Sequence, residues 1–94
     1  MALNRSEENA RGLFELFDGE QLLARMTYSR IDNHNFIIDH TAVSPDMKGT
    51  GAGKKIVQEV VAWAREHEQK IMPLCPFAKA IIEKYPELQD VLRP

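Results

Sequence analysis

The sequence predicts a single α/β (α+β) domain, in which a mixed, mainly antiparallel sheet has the element order β-β-β-α-β-α. Three observations predict this class. Apolar and polar residues alternate on both sides of an Asp-Gly pair in the first third. A glycine-rich segment then leads into a helical apolar stripe, and the last third holds a short apolar run and a second stripe bounded by prolines. A chain of 94 residues has room for one core, so one domain over residues 1–94 is expected.

Three strands are predicted in the first half, over residues 11–17, 21–28 and 36–43. Asp18-Gly19 is a strong hairpin signal between the first two. The third strand is apolar on both sides, which predicts a central position in the sheet. Strict alternation along it would place four residues on one face: Phe36, Ile38, His40 and Ala42. Residues 1–10 are polar and are expected to be frayed.

The second half predicts a helix, a strand and another helix. The first helix covers about residues 51–67, with a stripe formed by Ile56, Val57, Val60, Val61, Trp63 and Ala64. Residues 70–74 form a short strand, parallel to the strand before the helix, and Pro73 within it predicts a sheet edge or a splayed end. The last helix begins at Pro76 and ends before Pro86. Its predicted buried stripe is Phe77, Ala78, Ile81 and Ile82.

Composition excludes several classes of protein. A formal net charge of −2 gives no general attraction to nucleic acid or anionic lipid. Cys75 is the only cysteine, so no intramolecular disulfide can form, and no Cys/His cluster has zinc spacing. No apolar run approaches the ~18 residues of a membrane span, and no signal core is present. We therefore expect no metal, no membrane partner, no nucleic acid and a cytoplasmic location.

The segment between the third strand and the first helix carries glycine at positions 49, 51 and 53. Glycine permits positive φ and close approach of another molecule to the main chain. The first turn of a helix adds unpaired N–H groups and the positive end of the helix dipole. Together, the strand, the loop and the helix N-terminus predict a cradle for an anion, most often phosphate. The alternative is a glycine-rich turn that only caps the helix.

Two well-known phosphate loops do not fit this segment. The P-loop pattern G-x-x-x-x-G-K-[ST] requires glycine where the chain has Lys48 and Ser or Thr where it has Lys55. The dinucleotide pattern G-x-G-x-x-G begins at Gly49 but meets Lys54 where the third glycine belongs. A nucleotide-binding module is therefore a weaker interpretation.

A third pattern does fit. Residues 48–53, Lys-Gly-Thr-Gly-Ala-Gly, resemble the [Q/R]-x-x-G-x-[G/A] acyl-CoA loop of the GNAT superfamily of N-acyltransferases, with Lys48 in place of Gln or Arg. Residues 43–49 repeat the V-x-P-x-x-[K/R]-G approach of that family. The chain is most similar to a very short subfamily, which carries the equivalents of Asp39-His40-Thr41 and of Pro-Leu-Cys-Pro-Phe-Ala at 73–78.

The resemblance implies a truncated GNAT-like core that binds acetyl-CoA or CoA. Its loop amides would hold the diphosphate, and the edge of the third strand would pair with the pantetheine arm. The implied coenzyme-binding residues are Thr41, Ala42, Val43, Lys48, Gly49, Thr50, Gly51, Ala52, Gly53, Lys54, Phe77 and Ala78. Ordinary core packing is the alternative for the last two.

Cys75 and His40 are the candidate catalytic residues. Cys75 precedes a helix start, which lowers a thiol pKa, and in the GNAT layout it would lie near the acyl thioester. His40 has a side chain suited to deprotonating an amine. The alternatives are a small buried residue for Cys75 and a structural histidine for His40.

The resemblance implies an N-acetyltransferase that acts on an unidentified amine, and a non-catalytic CoA-binding module or sensor is the second interpretation. Full-length members carry helices between their first two strands, whereas Asp18-Gly19 leaves room only for a turn. Many also place a general-acid Tyr in the last helix near the position of Ile82, and Tyr85 comes one turn later. A small partner-binding domain is a further alternative.

Overall fold

The computed structural model describes residues 1–93, and it confirms the predicted fold class. The strands are β1 Ala2–Glu8, β2 Arg11–Asp18, β3 Gln21–Asp32, β4 Asn35–Val43 and β5 Lys70–Pro73. The helices are α1 Ala52–Glu66 and α2 Pro76–Lys84, with 3-10 helices at Pro45–Met47 and Pro86–Val91. The sheet order is β1-β2-β3-β4-β5. The first four strands are antiparallel, and β5 is parallel to β4, as the crossover predicted. Within residues 1–93 no helix is both long and apolar enough to cross a membrane.

The N-terminal segment is a strand, so the expectation of a frayed terminus is wrong. β1 pairs with β2 along its whole length, from Ala2 opposite Phe17 to Glu8 opposite Arg11. The element order is therefore β-β-β-β-α-β-α. Among the residues of β1 only Leu3 packs against the core, so hydrophobic periodicity carried no signal for it. The first two strands are joined by a tight turn at residues 9–10, where both residues have positive φ.

Polar contacts hold β1 in place. Glu7 Oε1 accepts hydrogen bonds from the Tyr28 hydroxyl at 2.7 Å and from Arg30 Nε at 2.9 Å. The Arg5 guanidinium donates to the Tyr28 hydroxyl and lies 4.9 Å from the Trp63 ring centroid. The hydrogen bond from Tyr28 and the nearby guanidinium groups lower the pKa of the Glu7 carboxyl. These contacts give the polar segment a fixed position that its composition does not predict.

The core lies between one face of the sheet and both helices. The buried residues of α1 are Ala52, Gly53, Ile56, Val57, Val60, Val61 and Ala64. Trp63 is half-buried and makes edge contacts with Phe14 and Phe36, with ring centroids 5.2 and 6.0 Å apart. Both helices lie on the same side, so the opposite face of the sheet, which we call the open face, is uncovered by any other described element.

A β-bulge in β4 reverses the predicted alternation beyond Ile38. Tyr28 faces Ile38 and Thr27 faces His40, which leaves Asp39 as an extra residue. Met26, on the buried side of β3, therefore faces Thr41. The prediction that Phe36, Ile38, His40 and Ala42 share one face is wrong, because His40 and Ala42 lie opposite the outward side of β3. The bulge turns Thr41 and Val43 toward the helices.

Candidate functional site

The loop between β4 and α1 takes its shape from two glycines. Gly49 has φ of 82° and Gly51 has φ of 85°, both in the left-handed region that favours glycine. Gly51 is the N-cap of α1 and accepts the first helical hydrogen bond, from the Lys55 N–H at 2.9 Å. No side chain caps the helix.

The main-chain N–H groups of the loop have no acceptor within residues 1–93, with one exception. Thr50 N–H donates to Met47 O at 3.2 Å. The N–H groups without an acceptor are those of Gly49, Gly51, Ala52, Gly53 and Lys54. Such a row of donors at the positive end of a helix is suited to bind an anion. The donors that the predicted cradle requires are therefore unpaired within the described residues.

The cradle opens into a cavity of about 610 Å³ between β4, the loop and α2. Its lining is Thr41, Ala42, Val43, Met47, Lys48, Gly49, Gly51, Ala52, Gly53, Lys54, Phe77 and Ile81. Two predicted residues do not line it. The Thr50 hydroxyl donates to Met47 O, and Ala78 is fully buried.

Met47 and Ile81 belong to the cavity but were not predicted. Met47 ends the 3-10 helix Pro45–Met47, where a loop methionine carries no periodic signal. Ile81 lies one turn beyond Phe77 on α2, and that spacing could have identified it. Phe77 itself is 44% exposed at the cavity rim, so its place in the predicted buried stripe of α2 is wrong. A Cβ on Gly53 would lie 2.4 Å from Phe77 Cζ, so this glycine admits the ring.

β4 and β5 separate beside the cavity. Their pairing ends at Ile38 opposite Pro73, and the N–H groups of Leu74 and Cys75 both donate to Ile38 O at 3.1 Å. Because β4 continues to Val43, its last five residues have no β5 partner. Pro73 thus ends an edge strand at the point of separation, as predicted.

Cys75 lies at this point of separation, on the cavity side of the sheet. It is 4% exposed, and its Sγ lies 3.6 Å from Thr41 Oγ1. Burial raises the pKa of the thiol, but the N–H groups of Ala78 and Phe77 and the Thr41 side chain stabilise the thiolate, and the net pKa lies below its ordinary value. The thiolate is thus stabilised by its neighbours, but the side chain is buried and is not among the residues that line the cavity.

The other candidate catalytic residue lies elsewhere. His40 is exposed on the open face, opposite Thr27, and does not line the cavity. Asp39 is beside it and accepts a hydrogen bond from Ser29 Oγ at 2.6 Å. The structure thus brings Thr41 and Cys75 together but separates them from His40 by the sheet. No group of three His, Cys, Asp or Glu side chains in the described chain is placed to hold a metal ion.

Comparisons with known proteins agree with this architecture. The family model described as GCN5-related N-acetyl-transferase matches residues 13–91. Among solved structures, the chain is similar to the NMR structure of a GCN5-like protein from Staphylococcus aureus assigned as an N-acetyltransferase. The two are 40% identical with a TM-score of 0.69, and the match covers 97% of this chain and 88% of that one.

Two more distant structures share the fold alone. An IAA acetyltransferase from Bacillus cereus is 16% identical with a TM-score of 0.61, and the match covers 80% of this chain and 53% of that one. A protein from Bacteroides thetaiotaomicron, assigned to the GNAT family of acetyltransferases, is 19% identical with a TM-score of 0.58. The match covers 84% of this chain and 46% of that one. This chain therefore spans about half the length of each. No curated protein matches the sequence significantly.

Proposed function

The chain belongs to the GCN5-related N-acetyltransferase family, and from that membership we propose that it binds acetyl-CoA and transfers the acetyl group to an amine. One observation carries the proposal. Five residues whose main-chain N–H groups have no acceptor inside the described chain line a cavity of about 610 Å³. A diphosphate is the part of acetyl-CoA that these donors would hold.

The loop would bind the diphosphate mainly through its backbone. The amides from Gly49 to Lys54 supply directed donors, and Lys48 adds an exposed ammonium at the rim. A lysine ammonium is a single point charge, whereas an Arg guanidinium presents several N–H donors in a rigid plane. The contact between Lys48 and the diphosphate is therefore less geometrically fixed than an Arg contact would be. Most of the affinity for the diphosphate should therefore come from the geometry of the glycines.

The pantetheine arm would lie along the free part of β4. Thr41, Ala42 and Val43 line the cavity beyond the last residue paired with β5. An amide-bearing chain can add to such an edge through main-chain hydrogen bonds. Phe77 and Ile81 on α2 would form the apolar wall opposite. This path leads from the cradle toward Thr41 and Cys75.

Two chemical routes end at an acetylated amine. In the direct route, the amine attacks the thioester carbonyl, the bond between the carbonyl carbon and the coenzyme sulfur breaks, and the coenzyme thiolate leaves and takes up the proton that the amine loses. In the second, the Cys75 thiolate attacks first, the bond between the carbonyl carbon and the coenzyme sulfur breaks, and the coenzyme thiolate takes up the proton that Cys75 gave up. The amine then attacks the acetyl-Cys75 thioester, the bond between the carbonyl carbon and the Cys75 sulfur breaks, and the Cys75 thiolate leaves and takes up the proton that the amine loses. We assign His40 as the base only for an amine that enters from the open face through the gap where β4 and β5 separate, because the sheet otherwise lies between His40 and Thr41.

A non-catalytic CoA-binding module is the second candidate function. The position of Tyr85 favours it, because this residue does not line the cavity and its ring lies against the Lys54 ammonium. The general-acid Tyr implied by the family resemblance is therefore not supplied by Tyr85. Release of free CoA thiol in the presence of added amines separates an enzyme from a binding module.

Binding is tested by melting the protein with acetyl-CoA, CoA and ATP in parallel. A ligand present at about 100 times its Kd stabilises the native state by about 2.7 kcal/mol, which corresponds to about 10 °C or more in Tm for a domain of this size. We expect this shift with acetyl-CoA and CoA and a much smaller one with ATP. An unchanged Tm with all three ligands would contradict the proposal.

Cys75→Ala tests the route through the thiol. After incubation with acetyl-CoA alone, intact mass should show one added acetyl group on the wild type and none on the variant, since the attacking sulfur is gone. A second variant, Thr41→Val, keeps the thiol but removes the hydroxyl 3.6 Å from it, and should acetylate more slowly. An acetyl adduct that persists in Cys75→Ala excludes Cys75 as the acceptor.

A further inference from the structure

Lys54 makes a contact that links the cradle to the C-terminal end of α2. Its Nζ lies 4.1 Å from the centroid of the Tyr85 ring, within the range of a cation–π interaction. Tyr85 is half-buried, packs against the core and is the C-cap of α2. The ring is therefore a fixed surface on which a flexible side chain can rest.

The charge of Lys54 is not neutralised by this contact. The ion pairs within residues 1–93 are formed by Arg5, Arg30 and Arg65, and none of them includes Lys54. Lys54 lines the main cavity, and it also lines a smaller cavity of about 360 Å³ on the other side of the loop. Its own N–H is one of the unpaired donors of the cradle. An oriented and unpaired ammonium thus stands next to the row of amides.

We propose that Tyr85 is a positioning residue, whose ring holds the Lys54 ammonium where it meets the diphosphate of a bound coenzyme. This inference rests on the proposed binding of CoA. A free lysine side chain loses rotamer entropy when it is fixed, and a side chain ordered before binding avoids part of that loss. The aromatic face orders the Lys54 ammonium and carries no negative charge. A carboxylate partner would instead compete with the diphosphate for the ammonium.

A second lysine provides a matched control. Lys84 Nζ lies 5.6 Å from the centroid of the same ring. Lys84 does not line the main cavity. Removing its charge changes the surroundings of Tyr85 without changing the cradle.

The test is titration calorimetry of CoA with the full chain at two salt concentrations. We expect Tyr85→Phe to bind like the wild type, and Tyr85→Leu to bind about two- to fivefold more weakly. Lys54→Met should weaken binding about tenfold and reduce its salt dependence. In the Lys54→Met background, Tyr85→Leu should have no further effect. Lys84→Met should change the affinity by less than twofold.

Dephospho-CoA distinguishes the phosphates, because it keeps the diphosphate and lacks the 3′-phosphate. The effect of Tyr85→Leu should persist with it, and an effect seen only with CoA would overturn the assignment to the diphosphate. Equal weakening by Tyr85→Leu in the wild-type and Lys54→Met backgrounds, or tighter binding by Tyr85→Leu, would overturn the positioning role.

A Tm of the free Tyr85→Leu variant within a few degrees of the wild-type Tm excludes unfolding as the cause of weaker binding. A wild type that does not bind CoA overturns both this inference and the proposed function, whereas a Tyr85→Leu variant that binds normally overturns this inference alone.

Discussion

Replacing Gly51 with valine is expected to weaken CoA binding about a hundredfold while the domain stays folded. Gly51 has φ of 85°, which a β-branched residue rarely adopts. The substituted loop must leave this conformation and turn the amides of residues 52–54 away from a common anion. Each hydrogen bond to a charged group contributes about 1.5–3 kcal/mol, so the loss of two accounts for the expected change. Calorimetry with CoA measures it.

Gly19→Val is the matched control for this prediction. Gly19 has φ of 60°, and a Cβ at either glycine would have nothing within 4 Å. The two substitutions should therefore lower the free energy of unfolding by similar amounts, about 1–2 kcal/mol each. Only the change at Gly51 should alter CoA affinity. If Gly19→Val weakened binding as strongly as Gly51→Val, the effect would come from general destabilisation and the cradle would have no special role.

Gly12→Ala is expected to lower the free energy of unfolding by about 3 kcal/mol, as a strongly overpacked core does. A Cβ at position 12 would lie 2.0 Å from Tyr28 Cζ. Tyr28 is 1% exposed, its ring packs 4.9 Å from that of Phe14, and its hydroxyl is held by Glu7 and Arg5. The ring has no space to move into, so the strain must spread to β1 and β2. Chemical denaturation followed by circular dichroism measures the loss.

The same substitution in a Tyr28→Leu background tests its cause. Leucine lacks the atoms nearest position 12, so Gly12→Ala should then cost less than about 1 kcal/mol. A cost that is equal in both backgrounds would show that the β2 backbone at position 12, and not the aromatic ring, requires glycine.

The backbone of the candidate site could be predicted where the spacing of single residue types restricts the local conformation. Three glycines at alternate positions before an amphipathic stripe have few structural uses besides a cradle, and the structure places their amides without acceptors. Pro76 likewise marked the start of α2, and Pro73 indicated that β5 is an edge strand. In these cases the backbone restrictions of single residue types were sufficient.

Features that depend on contacts distant in sequence could not be predicted. β1 is polar, and it is held by Tyr28 and Trp63, which lie more than twenty residues away. The bulge at Asp39 shows only in the register between β3 and β4, so alternation assigned His40 to the wrong face. Phe77 is exposed because Gly53 of another helix leaves room for its ring at the rim. Each of these features is set by pairing or packing, which periodicity along one segment does not record.

The sheet order has a consequence for how the molecule assembles. Every strand lies beside its neighbour in the sequence, so the first four strands can join by successive hairpins, each closing a short loop. Only β5 pairs with its neighbour, β4, across a long connection that contains α1. Such non-local pairing forms late and slowly. Because Phe77 and Ile81 follow β5, we expect the folding chain to complete the wall of its cavity in the last stage, after most of the hydrophobic core has formed.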